Sequence, residues 1–132
     1  CMIQYLQNET QSKGVSIMTI KEFRKLCKEH NAMDYAMVIA NGRLKKEYPI
    51  TVKNLRVNGN SEDIYTLFNA KDKNEYWTTD CATVKEFLNW SSSFKTYHIN
   101  PVDVSTNIIF GWILERDVKF YDNDKIVSLR IF

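Results

Sequence analysis

The chain is poor in the residues that punctuate or staple a fold: its 132 residues include four Gly, two Pro and three Cys. Gly14, Gly42, Gly59 and Gly111 are too scattered to build a phosphate-cradling loop or a dinucleotide fingerprint, so no nucleotide cofactor, and no other cofactor, is expected. Cys1, Cys27 and Cys81 are odd in number and widely spaced, unlike the dense, even framework of a small secreted domain, and they fit a reducing, cytoplasmic setting. Long hydrophobic runs are missing too. The longest, Ile108 to Leu114, is far short of the roughly 20 residues that cross a bilayer and is interrupted by Gly111, which predicts a core segment and no membrane contact. Gln4, Gln7, Asn8 and Glu9 break up any signal-like stretch, so no export is expected.

What is present reads as one globular domain. Hydrophobic residues make up 44% and charged residues 26%, values that oppose disorder, and the length suffices for one core without staples. Three Trp, seven Tyr and seven Phe mostly serve that core. The segment Ser12-Lys13-Gly14-Val15-Ser16-Ile17-Met18 back-translates into a purine-rich ribosome-docking sequence spaced correctly from a start codon at Met18. Residues 1–17 are accordingly read as an N-terminal extension, with Met18 a candidate start, and residues 18–132 as a single α+β domain.

Two helices are announced by the same phrase, Thr19-Ile20-Lys21-Glu22-Phe23 and Thr83-Val84-Lys85-Glu86-Phe87. In each, Thr caps the helix while Glu three residues later reaches back to the Thr amide. Capping selects these residue types by itself and the following residues diverge, so no internal duplication is expected. The first helix should run from Ile20 to about His30 on an apolar stripe of Ile20, Phe23, Leu26 and Cys27. The second should span Val84 to Trp90, packing through Val84, Phe87, Leu88 and Trp90.

The rest is strand-like. Tyr35 to Ala40 should turn at Asn41-Gly42, by a tight type I′ turn, into Arg43 to Tyr48. Ile50 to Val57, Asp63 to Phe68, Glu75 to Thr78 and a closing hairpin of Val118 to Tyr121 with Ile126 to Phe132 supply further strands, with a bend at Pro49. The expected fold class is α+β, with antiparallel hairpins or a β-meander packed against two short helices.

No catalytic set assembles. Glu62-Asp63 and Asp122/Asp124 are paired carboxylates in expected turns. Cys27 and His30 sit three apart, and Cys81 and His98 would be needed to complete a zinc set, but only the first pair is close; Cys81 with His98 is the corresponding thiol-nucleophile reading. Neither catalytic nor metal residues are therefore assigned, and a Cys/His metal or thiol site stands as the second alternative.

Charge gives a sharper signal. Met18 to Asn58 carries nine Lys or Arg against four Asp or Glu, net +5, whereas Gly59 to Phe132 carries eight against eleven, net −3. Lys21, Arg24, Lys25 and Lys28 share a helical face and, with Arg43, Lys45 and Lys46 of the hairpin, form the candidate partner-binding residues. The preferred function is a small non-enzymatic binding or regulatory protein acting through a protein–protein surface. The alternative is a nucleic-acid-binding domain using the same basic face, extended by Lys53 and Arg56 and interleaved with Tyr35 and Tyr48. In its Lys- and Asn-rich composition and small size the chain is similar to accessory proteins of phages and mobile elements in low-GC bacteria.

Overall fold

A computed structural model describes residues 17–72 and 80–132. Helices α1 (Ile20–Glu29) and α2 (Val84–Trp90) form where the capping boxes place them. Thr19 and Thr83 accept from the amides of Glu22 and Glu86, at 3.2 and 3.1 Å, and each Glu carboxylate accepts in turn from the Thr amide at 2.8 Å. Eight strands follow the chain as β1 (Ala36–Asn41), β2 (Lys46–Pro49), β3 (Leu55–Asn58), β4 (Asp63–Phe68), β5 (His98–Asp103), β6 (Ile108–Ile109), β7 (Val118–Tyr121) and β8 (Ile126–Arg130). The class is α+β, as the sequence predicts. The expected strand at Glu75 to Thr78 lies outside the described residues.

The hairpins do not run on as one meander. They join through parallel pairs into two mixed sheets, ordered β2-β1-β8-β7 and β3-β4-β5-β6. The centre of the first is β1 alongside β8, with Ala36 opposite Ile126 and Ala40 opposite Arg130; the centre of the second is β4 alongside β5, with Asp63 opposite His98. The expected strand from Ile50 to Val57 is also interrupted, because Val52–Asn54 winds into a 3-10 turn before β3 begins.

The two halves of the chain repeat each other, contrary to the expectation from the capping phrases alone. Each half runs helix, hairpin, 3-10 turn, hairpin, and the second sheet is built like the first with the halves exchanged. The halves also bond reciprocally. Ile20 N donates to Tyr97 O and Val84 N to Tyr35 O, both at 2.9 Å; Lys21 N donates to Lys95 O and Lys85 N to Met33 O, at 3.0 and 2.9 Å. Each helix thereby satisfies the first two of its orphan amides on the strand approach of the other half. Left-handed residues recur at matching places: Lys45 (φ 53°) and Asn107 (φ 59°) close the first hairpin of each half, and Glu62 (φ 57°) and Lys125 (φ 53°) the second.

Because Lys45 takes the positive φ, the β1–β2 connection is a longer turn than the expected type I′. Asn41 ends β1 and its Oδ1 accepts from the amides of Arg43 and Leu44, both at 3.1 Å. Gly42 is needed for space: a Cβ there would stand 2.9 Å from the Phe132 carbonyl oxygen. Pro49 sits at the end of edge strand β2, where its missing N–H is tolerated.

One core joins both sheets and both helices. Met37, Ile39, Val127 and Leu129 from the first sheet meet Ile64 and Ile99 from the second, with Ile20, Phe23, Val84, Phe87 and Leu88 from the helices. At the helix contact the rings of Phe23 and Phe87, equivalent positions of the repeat, meet edge to face at 5.8 Å. Leu26 and Trp90 pack half-buried on the margin.

Candidate functional site

The basic residues singled out by sequence do not form one face. Both ends of α1 lie at strand beginnings: Thr19 bridges His98 at the start of β5, and His30 contacts Asp122 in the turn that precedes β8. The turn carrying Arg43 and Lys45 lies at the far end of β1. That strand has six residues, so about 20 Å separates it from the Lys28 end of the helix. Arg43 is also engaged locally, its guanidinium 4.7 Å from the centre of the Phe132 ring. The hairpin cations Arg43, Lys45 and Lys46 are a separate, exposed patch.

Along α1 the stripe divides again. Lys25 lines a hollow with Leu26 and three carboxylates, Glu22, Glu29 and Glu115, so its charge is embedded in an acidic setting. Lys21 and Arg24 instead line a groove of about 560 Å³ with Ile20, Ser92 and Lys95, and no carboxylate is among these lining residues. Lys28 is exposed in the last turn.

This groove is built by backbone geometry. The bond from Lys21 N to Lys95 O, 3.0 Å, holds two lysines side by side. Arg24 stands one turn further along α1 and reaches the C-terminal turn of α2, where Nη2 donates to the Leu88 carbonyl at 3.5 Å. A cation at a helix C-terminus complements the partial negative charge of its carbonyls. Four guanidinium N–H donors remain for other partners. Among the described residues, Lys21, Arg24 and Lys95 form no ion pair. Sequence spacing could find Lys21 and Arg24, but Lys95 lies beyond the second helix and comes to them only through the reciprocal bonding of the halves.

The stacking platform anticipated for nucleic acid is not in place at Tyr35 and Tyr48. Both are buried, with their hydroxyls spent on Asp122 at 2.8 Å and on the Ala70 carbonyl at 3.3 Å. The Tyr35 hydroxyl and His30 Nε2 share one Asp122 oxygen, which ties the end of α1 to the β7–β8 turn; these bonds hold the Asp122 carboxyl below its ordinary range and push Tyr35 up.

The four Cys/His residues do not converge, and no metal-ligating group of three or more occurs among the described residues. His30 is stacked on Phe120 at 4.0 Å, whereas His98 leans on Trp112, whose indole N–H donates to Asp63 at 2.6 Å. Burial pushes the Cys27 thiol up to about 12; burial, with the charges of Asp80 and Glu47, pushes Cys81 up to about 11. Thiolate is the reactive form. Alkylation of both at pH 7.5 is therefore expected to be at least about 100-fold slower than for a free cysteine of pKa near 8.5. Peptide-resolved mass spectrometry after iodoacetamide treatment, with a urea-unfolded control, checks this; rapid native labelling of Cys81 would contradict it.

No family model, curated protein or solved structure matches the chain. The functional reading therefore rests on the residues themselves. A further cleft of about 190 Å³ opens at the seam of the sheets beside Tyr48 and Phe68. That is below the roughly 300 Å³ at which small-molecule sites begin. No described helix is long and apolar enough to cross a membrane.

Proposed function

We propose that this chain is a small non-enzymatic binding or regulatory protein that docks an acidic segment of a protein partner in the groove of Lys21, Arg24 and Lys95. One observation carries the reading: a backbone hydrogen bond joins the main chains of two lysines, an arginine lines the same groove, and no carboxylate is among the described lining residues. Three cations lining one groove, with no ion pair to a described residue, present a positive surface that suits an acidic partner. Lys28 borders the site on the same helix, and the hairpin cations Arg43, Lys45 and Lys46 lie outside it. A cytoplasmic setting and a source among phages or mobile elements of bacteria belong to this reading on composition alone.

Capture from a host lysate on the immobilised protein tests it. A discrete protein should be retained after nuclease treatment and released as salt is raised, because exposed charge pairs are screened. Loss of the retained material on nuclease treatment would overturn the reading in favour of nucleic acid.

A further inference from the structure

We infer that the groove is a phosphate-monoester site, and that the segment it receives on the protein partner is phosphorylated; this rests on the docking reading above and adds the chemistry of the docked group. Lys21, Arg24 and Lys95 bring three positive charges to one groove, so a single carboxylate would leave two of them unmatched. A phosphate monoester carries nearly two negative charges at neutral pH and three strong acceptor oxygens.

The donor set fits that group. The Arg24 guanidinium reaches the Leu88 carbonyl through one long contact, 3.5 Å, and keeps its other donors in the planar fork that favours phosphate. Lys21 and Lys95 supply mobile ammonium donors on either side of the backbone bond that joins them, and the exposed Ser92 adds a hydroxyl. Arginine-centred clusters of this kind are a recurrent means of reading phosphorylated segments. A nucleic-acid strand asks for something else, namely cations strung along a backbone and aromatic faces for its bases. None of the described lining residues is aromatic.

The experiment uses the full chain with four probes: an immobilised pool of degenerate phosphoserine peptides, the same pool without phosphate, inorganic phosphate as competitor, and a single-stranded DNA oligonucleotide. Hydrogen bonds to charged groups are worth about 1.5–3 kcal/mol each, so the phosphorylated pool should bind at least about 10-fold more tightly than its unphosphorylated twin. Inorganic phosphate should compete, and the combined Lys21→Glu and Lys95→Glu change should remove the preference while leaving the helical circular dichroism intact. Lys95→Arg should keep it. Equal binding of both pools, a preference that survives the charge reversal, or oligonucleotide binding as tight as the phosphopeptide's would each overturn the inference. If both pools bind equally while a lysate protein is still captured through the groove, the phosphate chemistry fails and the docking reading stands; if capture also ignores the groove, both fail.

Discussion

Replacement of Phe23 by Ala is expected to cost about 3–5 kcal/mol of folding stability, a large share of the roughly 5–15 kcal/mol available to a domain of this size. Phe23 is fully buried, its ring meets Phe87 edge to face between α1 and α2, and Phe87 is equally buried. Truncation removes both transfer free energy and the edge-to-face pair, and leaves a cavity in the core. Phe87→Ala should cost a similar amount because it occupies the equivalent position. The double variant should cost less than the sum, since each single change already removes the shared contact. Urea unfolding of the three variants checks this, and a loss below about 1 kcal/mol for either single change would show that the helices are not joined through these rings.

Asp103 carries the second large effect. It ends β5 as Asn41 ends β1, but it is a buried carboxylate with four bonds: the amides of Ala70 and Ser105 and the Ser105 hydroxyl donate to Oδ1, at 3.0, 3.0 and 2.7 Å, and the Thr106 hydroxyl donates to Oδ2 at 2.7 Å. Burial pushes its carboxyl up, yet these four donors together outweigh burial and hold it below the ordinary range. Asp103→Ala leaves amides of the β5–β6 turn and of the segment after β4 without partners, for a loss of about 2–3 kcal/mol. The sign of the pH dependence follows from the direction of the shift. A carboxyl lowered on folding stabilises above its unfolded value, near 3.9, and that contribution disappears as pH falls through the folded value. The gap between the wild type and Asp103→Asn should therefore be constant near neutrality and narrow below about pH 4. A gap that widens in acid would contradict the hydrogen-bonded carboxylate.

These two positions also mark what could be read from the sequence. The helices were legible because capping needs particular side chains at particular spacings, so Thr19 with Glu22 and Thr83 with Glu86 place both starts. The closing hairpin was legible from the alternation of Val127, Leu129 and Ile131 with Ser128 and Arg130, but the half-buried strand to Phe132 that this pattern implied is instead β8 ending at Arg130, with Ser128 buried as well. Sheet order was not, because the parallel pairs join segments as distant as Ala36 and Ile126, and no local pattern encodes that pairing. The repeat was hidden for a different reason. What the halves retain is backbone geometry, and a left-handed turn position is filled by Lys45 in one half and Asn107 in the other, by Glu62 in one and Lys125 in the other. The same applies to the candidate site. Helical spacing exposed Lys21 and Arg24, but it also grouped them with Lys25, which faces Glu22, Glu29 and Glu115, and with a hairpin at the far end of β1. Lys95 became visible only through the bond from the Lys21 amide.

The most direct test of the account is capture of the lysate partner by three immobilised proteins side by side: the wild type, the Lys21→Glu and Lys95→Glu double variant, and a Lys45→Glu and Lys46→Glu double variant with the same change in net charge. The account predicts that the groove variant loses the partner and the hairpin variant keeps it, with both retaining the wild-type circular dichroism. Equal loss in both would mean that net charge alone governs binding, and retention by the groove variant would contradict the assigned site.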